Sequence, residues 1–121
     1  MPNETDFEED EYLYRGILEV FWDFENDRPT SAIFKDSKGV SVDRSFDRNE
    51  DDCVTFLKKN KKFYRICNIQ VKEVKSVDAI VIYKKIPENI YHSEIHDSSE
   101  KIQIKGSKAK KLRDKINKIF E

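Results

Sequence analysis

Val77-Asp78-Ala79-Ile80-Val81-Ile82-Tyr83 is a nearly continuous β-branched run, and a run without polar alternation is what a strand covered on both faces carries. It predicts a central strand and puts a sheet at the heart of the fold. Downstream, Pro87-Glu88-Asn89 breaks the chain, Ile90 to His96 resumes it, and Lys101-Ile102-Gln103-Ile104-Lys105 alternates as a further short strand. Upstream, Phe63 to Val71 alternates imperfectly. Val40-Ser41-Val42-Asp43-Arg44 alternates strictly, with Val40, Val42 and Arg44 on one face. Tyr12 to Leu18 is rich in strand formers and carries Arg15, whereas Arg28-Pro29-Thr30-Ser31-Ala32-Ile33-Phe34 suits either a strand edge or a short helix.

Two helices accompany these strands. Asn49 is a good N-cap, Glu50, Asp51 and Asp52 fill a first turn, and Lys58, Lys59, Lys61 and Lys62 crowd the end, which is the charge order a helix dipole favours. A helix over about 50–60 follows, burying Cys53, Phe56 and Leu57. Ser107 caps a last helix in which Ala109, Leu112, Ile116 and Ile119 or Phe120 form one apolar stripe. The expected architecture is α+β: a small, mostly antiparallel sheet of five or six strands with two helices packed on it, a single domain over 12–121. Residues 1–11, with six acidic side chains, form an acidic N-terminal arm, frayed or a short surface helix.

A chain of 121 residues suits one domain. With 37% apolar and 39% charged residues its core is modest, although eight Phe, five Tyr and one Trp bury much area each. No run of 18 apolar residues exists, and the acidic start Met1-Pro2-Asn3-Glu4 lacks the basic and apolar regions of a secretory signal. Cys53 and Cys67 fit neither a disulfide framework nor a zinc motif and read as reduced, buried thiols. A cytoplasmic location is the expectation, without a membrane partner. Net charge is −1, but residues 1–60 carry 8 Lys/Arg against 16 Asp/Glu and residues 61–121 carry 15 against 8. Either the two halves pair with each other or the second meets an acidic partner.

Both histidines of the chain lie in His92-Ser93-Glu94-Ile95-His96. On a strand the three polar side chains share a face, neighbours lying roughly 7 Å apart and the two histidines roughly 13 Å. That span excludes a three-ligand metal site within the segment, and neither a metal nor a cofactor is expected. It leaves His92 and Glu94 as an acid/base pair, or a plain polar sheet face, and drops His96 as a third ligand. Arg15, Arg28 and Arg44 sit in or beside apolar segments, where each guanidinium must find a partner. They pair structurally or, with Ser31, Lys35 and Asp43, line an anion site. Lys108, Lys111, Lys115 and Lys118 form a ridge on the last helix, either solvated, or facing the acidic half, or touching nucleic acid.

Tyr14-Arg15-Gly16, Arg28-Pro29-Thr30-Ser31, Ser41-Val42-Asp43-Arg44, Tyr91-His92-Ser93-Glu94-Ile95 and Ser107-Lys108-Ala109-Lys110-Lys111-Leu112 resemble landmarks of a group of small uncharacterised bacterial proteins, which have a His-x-Glu without the second His, so the resemblance implies that His96 is incidental. Leu13-Tyr14-Arg15-Gly16 also resembles the first-strand Arg of Arg-Ser-Glu ADP-ribosyltransferases, implying an Arg15 that holds NAD phosphates, although the usual Glu-x-Glu or Gln-x-Glu is missing. Two functions stand open. One is a binding or accessory protein of a bacterial multi-protein system, recognising an anionic nucleic-acid, nucleotide or protein partner. The other is a small enzyme on a phosphate-bearing or nucleotide substrate, with His92 and Glu94 as acid and base and the arginines as anion holders. Convergence of the arginines with His92 and Glu94 in one pocket is what distinguishes them.

Overall fold

The computed structural model describes residues 6–121. Eight strands and three α-helices alternate with two short 3-10 turns, Glu19–Phe21 and Ser31–Phe34. The strands are β1 Tyr12–Leu18, β2 Trp22–Asp23, β3 Arg28–Pro29, β4 Val40–Arg44, β5 Phe63–Gln70, β6 Ile80–Tyr83, β7 His92–His96 and β8 Lys118–Phe120. The helices are α1 Glu50–Lys58, α2 Val71–Ser76 and α3 Gly106–Asp114. Six strands form one antiparallel sheet in the order β6-β7-β4-β1-β5-β8, and β2 pairs with β3 in a separate ribbon. The protein is α+β, as its sequence predicts.

The register assigns each side chain to a face. Leu13 and Ile17 of β1 join Val40 and Val42 of β4, Cys67 and Ile69 of β5 and Ile95 of β7 in the main core, which Ile33 and Phe34, α2 and α3 close with Val71, Val74, Ala109 and Leu112. The opposite face is covered less completely. There α1 buries Cys53 and Val54 against Tyr14 and Ile66, over β1 and β5, and leaves β4, β7 and β6 without a helix above them. Asn49 caps α1 as expected, its side chain accepting from the Asp52 amide at 2.8 Å. Phe56 and Leu57, expected in its buried face, are half-buried, and Val54 takes that place.

The β-branched run is an edge rather than a centre. Val77 ends α2, Asp78 turns the chain at φ 63°, and β6 pairs with β7 alone. Val81 packs on the main core, while Ile80 and Ile82 stand beside His96 and Glu94 on the other face. Both sides of the strand are thus apolar although no helix covers the second: its isoleucines shield buried polar groups. The strand expected over Lys101–Lys105 is a loop, anchored where the Lys105 amide donates to Asp97 Oδ2 at 2.9 Å and the Asp97 amide to the Ile102 carbonyl at 3.2 Å. The last helix stops at Asp114 and its N-cap Lys105 makes no side-chain capping bond, so Ser107 is not the cap. Ile119 and Phe120 belong instead to β8, because buried Asn68 accepts from the amides of Asn117, through its carbonyl, and Lys118, through its side chain, both at 2.9 Å.

Residues 1–5 of the expected arm lie outside the described residues. Residues 6–11 dock on the sheet: the amides of Val71 and Lys72 donate to the carbonyls of Glu11 and Glu9, and Glu11 forms a buried ion pair with Arg44. Among the described residues no helix is long and apolar enough to cross a membrane.

Candidate functional site

β1 and β4 pair at only two positions, Leu13 with Arg44 and Tyr14 with Asp43. Beyond these the strands diverge, and the Arg15 side chain bridges the gap, donating from Nη1 to the Ser41 carbonyl at 2.6 Å and from Nε to the Ile33 carbonyl at 2.7 Å. A guanidinium thus replaces the missing ladder bonds. Gly16 follows, with the Phe63 ring packed so tightly over it that a Cβ would overlap the ring atoms. The split in the sheet opens into a cleft of about 550 Å³, bounded by the C-terminal end of α1 on one side and by Asn89 on the other. This volume falls within the range of small-molecule sites, roughly 300 to 1,000 Å³. Phe21, Phe56 and Phe63 give it aromatic walls, and Arg15, Ser41, Asp43 and Lys59 supply its polar groups.

Arg15 is the unusual member. Burial lowers its pKa, against Cys67 and Asp36, which act through space in the opposite sense. Its two bonds go to neutral carbonyls, and among the described residues no carboxylate forms an ion pair with it. Arg15 is half-buried, and a partly desolvated cation without a counter-ion is favourably placed to meet an anion entering the cleft. Asp43 carries the opposite demand. Burial pushes its carboxyl up, against the Asn89 amide that donates to Oδ1 at 2.8 Å, while Oδ2 is buried without a partner.

The β7 residues do not pair as expected. Glu94 Oε1 bonds His96 Nε2 at 2.8 Å, both groups buried, with Lys84 Nζ 3.5 Å from the same oxygen. Gly39, at φ 102°, lies so close that a Cβ would sit 2.6 Å from Glu94 Oε1 and 3.0 Å from His96 Nε2. His96, expected to be incidental, is therefore the partner of Glu94, and Ile80 on the edge strand completes their cover. His92 turns elsewhere. Its Nδ1 lies 2.8 Å from the Lys84 carbonyl and its Nε2 lies 3.3 Å from Ser41 Oγ. A carbonyl can only accept, so Nδ1 carries the proton and Nε2 presents a lone pair to the Ser41 hydroxyl.

The other predicted residues separate. Arg44 spends Nε and Nη2 on the Glu11 carboxylate, each at 2.9 Å, and stacks between Phe7 and Phe46 with its guanidinium 4.0 and 3.9 Å from the ring centroids. Its role is structural. Arg28 is exposed on β3 opposite Asp23, Ser31 opens the 3-10 turn that meets α3 and Lys35 caps its end, and the hydrogen bonds of His92 go to Lys84 and Ser41 rather than to any of the three. Of the residues proposed for an anion site, Arg15 and Asp43 line the cleft, together with Ser41, Lys59 and Asn60, which sequence reasoning did not single out. The alternation of β4 put Ser41 and Asp43 on one face. What hid their meeting with His92 is the β4–β7 register, Ser41 opposite Glu94 and Asp43 opposite His92.

The lysine ridge is divided in the same way. Lys108, nearly buried, donates to the Asp78 carbonyl at 2.9 Å and lies 3.2 Å from Asp97 Oδ1. The amide of Lys105, and then Lys108, hold the Asp97 carboxyl below the usual range. Lys115 pairs with Glu73 at 3.4 Å and Lys118, on β8, with Glu50 at 3.0 Å, leaving exposed Lys111 on the helix. Among the described residues no group of three or more His, Cys, Asp or Glu is arranged to hold a metal. No protein-family model matches the chain, and no match was found to a curated protein or to a solved structure.

Proposed function

We propose that this chain is a binding protein whose cleft takes an anionic, ring-bearing small molecule of the nucleotide class, the anion at Arg15 and the ring against Phe56 and Phe63. The observation that carries the reading is the Arg15 guanidinium, half-buried at the cleft without a carboxylate partner. Lys59 at the mouth adds a second cation, and a phosphate or carboxylate accepts from a guanidinium in two places at once. The pairing of Lys108, Lys115 and Lys118 with carboxylates favours this cleft over the lysine ridge as the place where an anion is held. Work in the bacterial cytoplasm, as an accessory to a larger assembly, is part of the same proposal. Its supports are the resemblance to small bacterial proteins and the two buried free thiols.

Thermal unfolding in low salt, with inorganic phosphate, nucleosides and nucleoside monophosphates as probes, tests the reading. A ligand at a hundred times its dissociation constant stabilises the folded state by about 2.7 kcal/mol. The expected result is a raised midpoint with the monophosphates, lost in Arg15→Met and weakened in Lys59→Met, the second variant leaving the β1–β4 bridge intact. No shift with any anion, or an equal shift in both variants, removes the proposal.

A further inference from the structure

We infer that Ser41, which lines the cleft, and its neighbour His92 form a nucleophile and general base, giving this protein hydrolytic activity on small esters. Three observations converge on it. The Lys84 carbonyl fixes the His92 proton on Nδ1, so the basic Nε2 faces Ser41 Oγ at 3.3 Å, a loose hydrogen bond of the kind unliganded nucleophile and base pairs show. Ser41 is exposed and lines the cleft, so a substrate carbonyl has access to its hydroxyl. Arg15 bonds the carbonyl of Ser41 itself, which pins the residue and stands a positive charge beside an oxyanion forming there. The orienting group is a backbone carbonyl rather than a carboxylate, because Glu94 is committed to His96.

In the first half-reaction Ser41 Oγ bonds the ester carbonyl carbon while its proton passes to His92 Nε2. The tetrahedral adduct then collapses: the bond to the alcohol oxygen breaks, and that oxygen takes the proton from His92. Water repeats the sequence on the acyl-Ser41 ester, giving its proton to His92 and its oxygen to the acid product, with Ser41 restored. The preference for esters that carry an anion rests on the Arg15 site proposed above; the nucleophile and base do not.

A neutral fluorophosphonate probe separates the two, since it needs no anion site. The full-length protein should be labelled at Ser41, as located by peptide mass spectrometry. Ser41→Ala should remove the label, and His92→Gln should slow it by about 100-fold or more. The wild-type labelling rate should fall in acid, a readout that stands even if His92→Gln folds poorly. Labelling absent from Ser41, equal in His92→Gln, or independent of pH overturns the inference while leaving phosphate binding untouched. Conversely, labelling without phosphate binding sinks the Arg15 reading alone.

Discussion

Replacing Gly39 by alanine tests the buried Glu94–His96 pair and the turn that covers it. Gly39 holds φ 102°, a conformation an L side chain adopts only under strain of about 2 kcal/mol. The added Cβ would also lie 2.6 Å from Glu94 Oε1 and 3.0 Å from His96 Nε2. Ile80 and Ile82 on the same face restrict where that pair can move. Disturbing a buried hydrogen bond to a charged acceptor adds about 1.5 kcal/mol. Together these give about 3.5 kcal/mol. With an unfolding entropy of about 2.1 cal/mol/K per residue, a chain of this length should melt about 14 °C lower. Calorimetry on Gly39→Ala measures that shift, and repeating it in a Glu94→Ala background isolates the contact. There the cost of Gly39→Ala should drop to the backbone strain, about 2 kcal/mol, leaving a coupling of about 1.5 kcal/mol. A fall of less than about 4 °C, or a cost independent of Glu94, would refute this account of the turn.

Glu11→Ala should destabilise by about 3 to 5 kcal/mol in urea unfolding, because it strands the buried Arg44 guanidinium, whereas removing both charges together should cost less. Asp97 gives a pH signature. Its pKa is lowered in the folded state, so the stability it contributes is present above the ordinary carboxylate range and lost as pH falls through the folded value. Asp97→Asn should therefore lower the melting midpoint at neutral pH and converge with the wild type in strong acid; parallel curves would contradict the cause assigned here. Burial pushes the Cys67 thiol up to about 12, so iodoacetamide at pH 8 should leave it unmodified in the native protein and alkylate it after denaturation.

Ser41 and Phe63 show how a site can be invisible in a pattern that is otherwise legible. The alternation of Val40 to Arg44 places Ser41 on the face away from the main core, as observed. Nothing local says that β1 leaves β4 after Tyr14, that Arg15 fills the opening, or that Phe63 roofs Gly16. His92 and Glu94 were recognisable as polar groups on one strand face, yet their partners come from a carbonyl eight residues upstream, a serine fifty-one residues upstream and a histidine two positions on. Along the strand His92 and His96 are equally near Glu94, and only the resemblance to proteins with a His-x-Glu and no second His favoured His92. Cross-strand contacts and the close approach of Gly39 favour the observed arrangement.

By itself, the sequence determined the α+β class, the capped helix after Asn49 and the faces of the strand Val40 to Arg44, because these depend on periodicity and capping within a few residues. The tertiary structure alone decided that the β-branched run is an edge strand, that the lysine ridge divides among Asp97, Glu73 and Glu50, and that Arg15, Ser41 and His92 meet. Strand order and register are set by burial across the whole chain. Val77 to Tyr83 has the same apolar pattern whether a helix covers it or it shields a buried Glu–His pair.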